Sequence, residues 1–168
     1  IGAAAFTLDS GLAGTFSSNL MPLVRARQDP ATMAWWARRP SIWAAATRDA
    51  SPPEVAMDRF ASWVYGLEPA KFRRAFVGYP AGFDFPFVYT YLMKFVGRSP
   101  FSFSALDMKT YAAATLRQSF RGTSKRTMPK HWFPKESKHT HVAVEDAIEQ
   151  GELFMNMLRE NLQEGAGC

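Results

Sequence analysis

Two aspartates and a histidine occupy settings in which their chemistry could be used. Asp84 lies in Gly82-Phe-Asp84-Phe-Pro-Phe87, directly after a short apolar segment, and His141 and Asp146 lie in His141-Val-Ala-Val-Glu-Asp146-Ala. A carboxylate can hold a cation or transfer a proton, and a neutral imidazole can accept one near pH 7. The five-residue step from His141 to Asp146 corresponds to ~140° of helical rotation, so the two cannot share a helix face. They can meet only if His141 lies on the loop before the helix and swings toward a cleft that Asp146 enters. Each residue also has a plainer role: an aspartate opening a helix is commonly an N-cap, which applies to Asp84 and Asp107, and His139 and His141 can be ordinary solvated side chains. No Gly-rich phosphate loop, GxSxG elbow or HExxH pair occurs.

A second group is basic and aromatic. From Arg117 to Lys138 there are seven Lys or Arg residues and one acid, Glu136, a local charge of +6 that leaves −1 for the rest of the chain. Lys125, Arg126 and Lys130 could sit on phosphates, and Trp132, with Phe133 beside it, could stack on bases; the alternative is a solvated loop. Trp35 and Trp36 read as core.

The elements that must position these residues follow from pattern. Ile1 to Leu8 reads as a buried strand, turning at Asp9-Ser-Gly11 and Gly14 into extended residues from Thr15 to Leu23. Asp29-Pro30 opens a helix that runs to Pro40, and another starts at Ser41. Ser51-Pro52-Pro53-Glu54 opens a third, with Val55, Met57, Phe60, Ala61, Val64 and Leu67 on its apolar stripe. Ala75 to Tyr79 is expected in the middle of a sheet, followed by a helix from Asp84 to Val96. Ser102 to Leu106 reads as a strand, Asp107 opens a helix to Ala114, and His139 to Leu162 is a long amphipathic helix. The order implies an α/β layer architecture whose later strands pair in parallel.

Composition bounds the rest. A chain of 168 residues with 47% apolar residues and a net charge of +5 forms one ordinary domain, residues 1–168, and is too apolar for intrinsic disorder. No apolar run reaches the ~18–20 residues needed to span a bilayer. The sole cysteine, Cys168, excludes an internal disulfide framework and fits a reducing, cytoplasmic setting.

Taken together, Gly82-Phe-Asp84-Phe-Pro-Phe-Val88, Ser104-Ala-Leu-Asp107 and His141-x-Ala-x-x-Asp146-Ala resemble the DEDDh family of 3′→5′ exonucleases, which includes ribonuclease T, oligoribonuclease and polymerase proofreading subunits. The likeness runs from Ile1 to about Leu162, and Thr32-Met-Ala-Trp35-Trp36 is similar to a segment of some exoribonuclease-like members. It implies a ribonuclease H-like mixed sheet flanked by helices. It also implies that Asp84 and Asp146 are metal ligands, that His141 activates the attacking water, and that Asp107 plays a supporting part. Two Mg²⁺ or Mn²⁺ ions ~4 Å apart would neutralise the phosphate and polarise the water, so the two carboxylates are expected within ~8 Å of each other.

Two departures matter. Pro80 stands where many members carry Asn before the second-motif Asp. None of the seven aspartates is followed two positions later by Glu, so the family's first-strand Asp-x-Glu is missing from these residues. Ile1 to Phe6 reads like the family's second strand, which places the first strand upstream and makes the domain N-terminally incomplete. The 168 residues alone are then expected to bind metal poorly and cleave little, and an open sheet edge would destabilise them. The implied activity is hydrolysis of single-stranded RNA or DNA from the 3′ end, without a membrane; a homodimer stays open. The alternatives are a catalytically inactive nucleic-acid-binding module of the same fold and a purely structural interaction domain.

Overall fold

The computed structural model describes residues 1–68, 73–135 and 141–165. Strands β1 (Gly2–Thr7) and β2 (Gly11–Ser17) form the expected antiparallel hairpin, with Gly2 opposite Ser17, Thr7 opposite Gly11 and a one-residue slip between Ala5 and Phe6. Helix α1 (Pro30–Ala37) is capped by Asp29, whose Oδ1 accepts from the Thr32 backbone N–H at 2.7 Å. Pro40 does not merely end α1 but opens α2 (Pro40–Thr47), because a proline at the first helical position gives up only a donor that had no partner there. Asn19 donates to the carbonyls of Ala45 and Arg48, both at 2.8 Å, and ties the end of α2 to the segment after β2.

Helix α3 (Pro53–Gly66) buries Ala56, Met57, Phe60, Ala61 and Val64, but Val55 of the expected stripe faces solvent. Strand β3 (Phe76–Gly78) and β4 (Ala105–Asp107) pair in parallel, with Gly78 opposite Asp107. Helix α4 (Ala81–Phe95) follows β3, and α5 (Met108–Thr115) follows β4. The last helix, α6 (Ala143–Gly165), begins later than the pattern implied. His139 and Lys138 lie outside the described residues, and His141 precedes the helix.

Two apolar clusters form, one on the hairpin and one on the parallel pair. Phe16, Met57, Phe60, Ala61, Val64 and Leu92 join α3 and α4 to the hairpin, with Ala3 packed against them. Met108, Ala112, Met128, Trp132, Leu153 and Met157 join α5 and α6 to the face carrying Val77 and Leu106. Close approach of α6 to β1 depends on two glycines. A Cβ at Gly2 would overlap the backbone of Ala143 and Val144, and one at Gly151 would overlap the Phe6 ring.

The antiparallel and parallel pairs supply both strand senses of the expected mixed sheet. Among the described residues, however, they form two separate two-stranded sheets, and β3 has one partner, β4, rather than sitting mid-sheet. The ladder partners of β1 and β3 are β2 and β4, and among the described residues no strand joins the halves. No described helix is long and apolar enough to cross a membrane.

Candidate active site

The C-terminal ends of the parallel strands are where an α/β fold presents its loops. There Asp107 acts as a clamp. Its Oδ1 accepts from the backbone N–H of Thr110 at 2.7 Å and from the Thr110 hydroxyl at 2.8 Å, capping α5. Its Oδ2 accepts from the Ala81 N–H at 2.8 Å, at the start of α4. Burial alone would raise this carboxyl, but the Thr110 and Ala81 hydrogen bonds, with help from Lys109, hold it below the usual range. Asp107 is therefore the N-cap that its position at the start of a helix suggested, and it also fixes the start of α4.

Asp84 differs from the cap expected of it. Helix α4 starts at Ala81 with Pro80 as its N-cap, so Asp84 lies within the first turn instead of opening it. It is half-buried, and desolvation pushes its carboxyl up. Phe83 and Phe87, 65% and 60% exposed, flank it with ring centroids 5.6 Å apart. Sequence reading passed over this exposed pair, although its i, i+4 spacing on either side of an acid was visible.

Asp146 lies in the first turn of α6, where the helix dipole favours a carboxylate. Its N–H closes the first helical turn on the Val142 carbonyl at 3.0 Å, and its Oδ1 is withdrawn from solvent. His141 sits on the approaching loop, the only arrangement in which it and Asp146 could serve one cleft. It holds a left-handed backbone at φ 59°, a conformation uncommon for a residue with a side chain. Its ring stands edge-on to Trp35 at 5.3 Å, so α1 borders the site.

Lys125 links α6 to the turn before α4. Its ammonium pairs with Glu149 of α6 at 3.0 Å and lies 5.8 Å from the ring of Tyr79, in the turn leading to α4. That side chain thus joins the element bearing Asp146 to the turn before Asp84, rather than reaching into solvent. Arg126 and Lys130 are exposed.

Trp132 corrects the reading of it as a base-stacking surface. It is fully buried among Met108, Met128, Leu153 and Met157, and its indole N–H donates to Glu160 at 2.7 Å. A ring in that position has no face to offer a base. Trp35 and Trp36 err in the opposite sense, since no residue of α1 or α2 is buried.

Among the described residues no three His, Cys, Asp or Glu side chains gather as a metal cluster. The donors that Asp84 and Asp146 offer are oxygens, the type that suits Mg²⁺ or Mn²⁺. Their convergence on one ion pair is taken up below as a proposal.

The domain is thus mixed α/β, with acids in the first turns of α4 and α6 and a histidine on the loop before α6. Residues 1–158 match the family described as the 3′-5′ exoribonuclease Rv2179c-like domain, and the chain belongs to it. The chain is also similar to the 3′-5′ DNA exonuclease Cap18 of Escherichia coli, with 33% identity over 106 residues, or 63% of this chain and 56% of that protein. It therefore spans just over half the length of that relative.

Proposed function

We propose that the protein is a 3′→5′ exonuclease that hydrolyses single-stranded nucleic acid from its 3′ end, with Asp84, Asp146 and His141 at its centre. What carries the reading is the family match over residues 1–158, which spans these three residues and the Asp107 clamp together. Ribose and deoxyribose substrates both stay within the proposal, because the family's description names an exoribonuclease and the relative's name a DNA exonuclease. The sole cysteine at the chain end is the ground for extending the proposal to a cytoplasmic setting.

In this mechanism Asp84 and Asp146 would hold divalent Mg²⁺ or Mn²⁺, which when bound would neutralise charge on the phosphate and acidify a water. His141 takes the proton from the attacking water as the P–O3′ bond breaks, the leaving 3′-oxygen is protonated by solvent water, and His141 releases its proton to solvent; its loop position lets it approach from the side of α1. Asp107 fixes the first turn of α4 and with it the Asp84 backbone. Half-burial of Asp84 disfavours its bare charge, so a cation beside it would restore the ionised form. Lys125 holds α6 against the turn before α4.

The test is an assay on the full gene product containing this chain, with oligonucleotides labelled at either end and Mg²⁺ or Mn²⁺ supplied. The expected result is stepwise release of mononucleotides from the 3′ end, reduced at least ~100-fold in Asp84→Asn, Asp146→Asn and His141→Ala. A folded protein that binds the oligonucleotide but releases nothing would favour the inactive binding module instead. Internal cuts, or full activity in Asp84→Asn, would overturn the assignment.

A further inference from the structure

The least accounted-for part of the fold is the helix pair α1–α2. Its sixteen residues include Met33, Trp35, Trp36, Ile42 and Trp43, yet none is buried and the pair packs mainly on itself. The rings form an unbroken row. Trp43 meets Trp36 at 5.3 Å, Trp36 meets Trp35 at 4.8 Å, and Trp35 meets His141 at 5.3 Å. The Arg39 guanidinium lies 3.9 Å from the Trp35 ring centroid and donates to the Trp35 carbonyl at 3.2 Å, which braces the ring that faces His141.

The charge of this region is one-sided. Between Arg25 and Arg48 there are five arginines and one acid, Asp29, whose Oδ1 is already engaged by the Thr32 amide and hydroxyl. Beyond Trp43, Arg48 borders an open polar cleft with Ser17, Ser18, Ser51 and Arg59, where Asp49 is the one acid on the wall. A row of rings, exposed at Trp43 and half-buried at Trp36 and Trp35, with cations along it matches the chemistry of single-stranded nucleic acid, whose bases stack and whose phosphates pair with arginine. A protein partner would need an acidic face and would gain less from a file of rings that ends at the loop histidine.

We propose that α1–α2 is a stacking track for the nucleotides upstream of the 3′ end, with Trp36 and Trp43 as base platforms, Arg38 and Arg48 on the phosphates, and Trp35 positioning His141. The proposal deepens the exonuclease reading and rests on it. Its occupant is single-stranded nucleic acid entering along α2 toward His141.

The test measures binding by the full gene product in EDTA, which prevents cleavage, using a fluorescent oligothymidylate of about 12 nucleotides and a dinucleotide in parallel. Trp43→Ala is expected to weaken the long oligonucleotide about 10-fold, as loss of one stacked base would, and to leave dinucleotide affinity unchanged; Trp43→Phe restores most of the loss. Since Trp43 is on the surface, a circular-dichroism melt matching the parent shows that folding is not the cause. If the parent binds the oligonucleotide and Trp43→Ala binds it equally, the track is overturned while the exonuclease reading stands. If the parent binds no oligonucleotide, both fall. A variant that binds normally but loses self-association assigns the face to a second copy of the chain and also overturns the track.

Discussion

The segment from Arg117 to Lys135 and the pair α1–α2 have similar compositions, with arginine or lysine beside tryptophan, and opposite fates. In the first, Trp132 is sealed in the core, Lys125 turns inward to Glu149, and His131 and Trp132 both meet Glu160. In the second, no tryptophan is buried, Trp43 being the most exposed of the three, and the acids beside the arginines are the capping Asp29 and Asp49 on the cleft that Arg48 borders. The difference lies in α6. That helix brings Glu149 and Glu160 to the basic segment and so converts a stretch that looks like a nucleic-acid contact into a packed wall. Among the described residues no such carboxylate-bearing helix packs over α1–α2. Local composition therefore does not settle which basic-aromatic segment binds substrate; what packs over it does.

The comparison breaks most readily at the tryptophans. Trp132→Ala is expected to cost about 3–5 kcal/mol of stability, since it removes a large, fully buried side chain and strands its neighbours around a cavity. Trp43→Ala is expected to change stability by less than about 0.5 kcal/mol, as surface substitutions usually do. Urea denaturation of both variants checks this. A Trp132→Ala protein as stable as the parent but defective only in binding would reverse the roles of the two segments.

A smaller effect sharpens the same contrast through pH. Hydrogen bonds from His131 and Trp132 hold the Glu160 carboxyl below its ordinary value of 4.5. A lowered folded value means that the unfolded chain binds more protons in that range, so this contribution is present above 4.5 and is lost as pH falls through the folded value. The melting temperature of the parent should therefore fall more steeply than that of Glu160→Gln as pH drops below 4.5. Equal slopes would mean that the α6 acid does not anchor the segment.

Much of the fold was readable because its signals are local. Asp29 and Asp107 cap helices as their positions before Pro30 and Met108 indicate, α3 carries its stripe apart from Val55, and Gly11 turns the hairpin at φ 72°. The failures come from distant partners. Trp132 is buried by residues more than twenty positions away on α6, a contact no window of sequence contains. Asp84 looked like a cap because the helix seemed to start with it, whereas the first turn is built from Ala81 and held by Asp107, 26 positions along. The candidate site was proposed from residue types, with Asp84, Asp146 and His141 marked by the motif resemblance. Neither the bracing of α4 by Asp107 nor the approach of Trp35 to His141 was visible, since both depend on tertiary packing.

The central claim is that Asp84 and Asp146 serve one ion site from two helices. Mn²⁺ affinity of the full gene product, followed by electron paramagnetic resonance in the parent, Asp84→Asn, Asp146→Asn and the double variant, tests it most directly. Ligands of a shared site are coupled, so each single variant should lose at least about 10-fold in affinity and the double variant little more than either. Losses that simply add, or Mn²⁺ binding unchanged in both single variants, would contradict it.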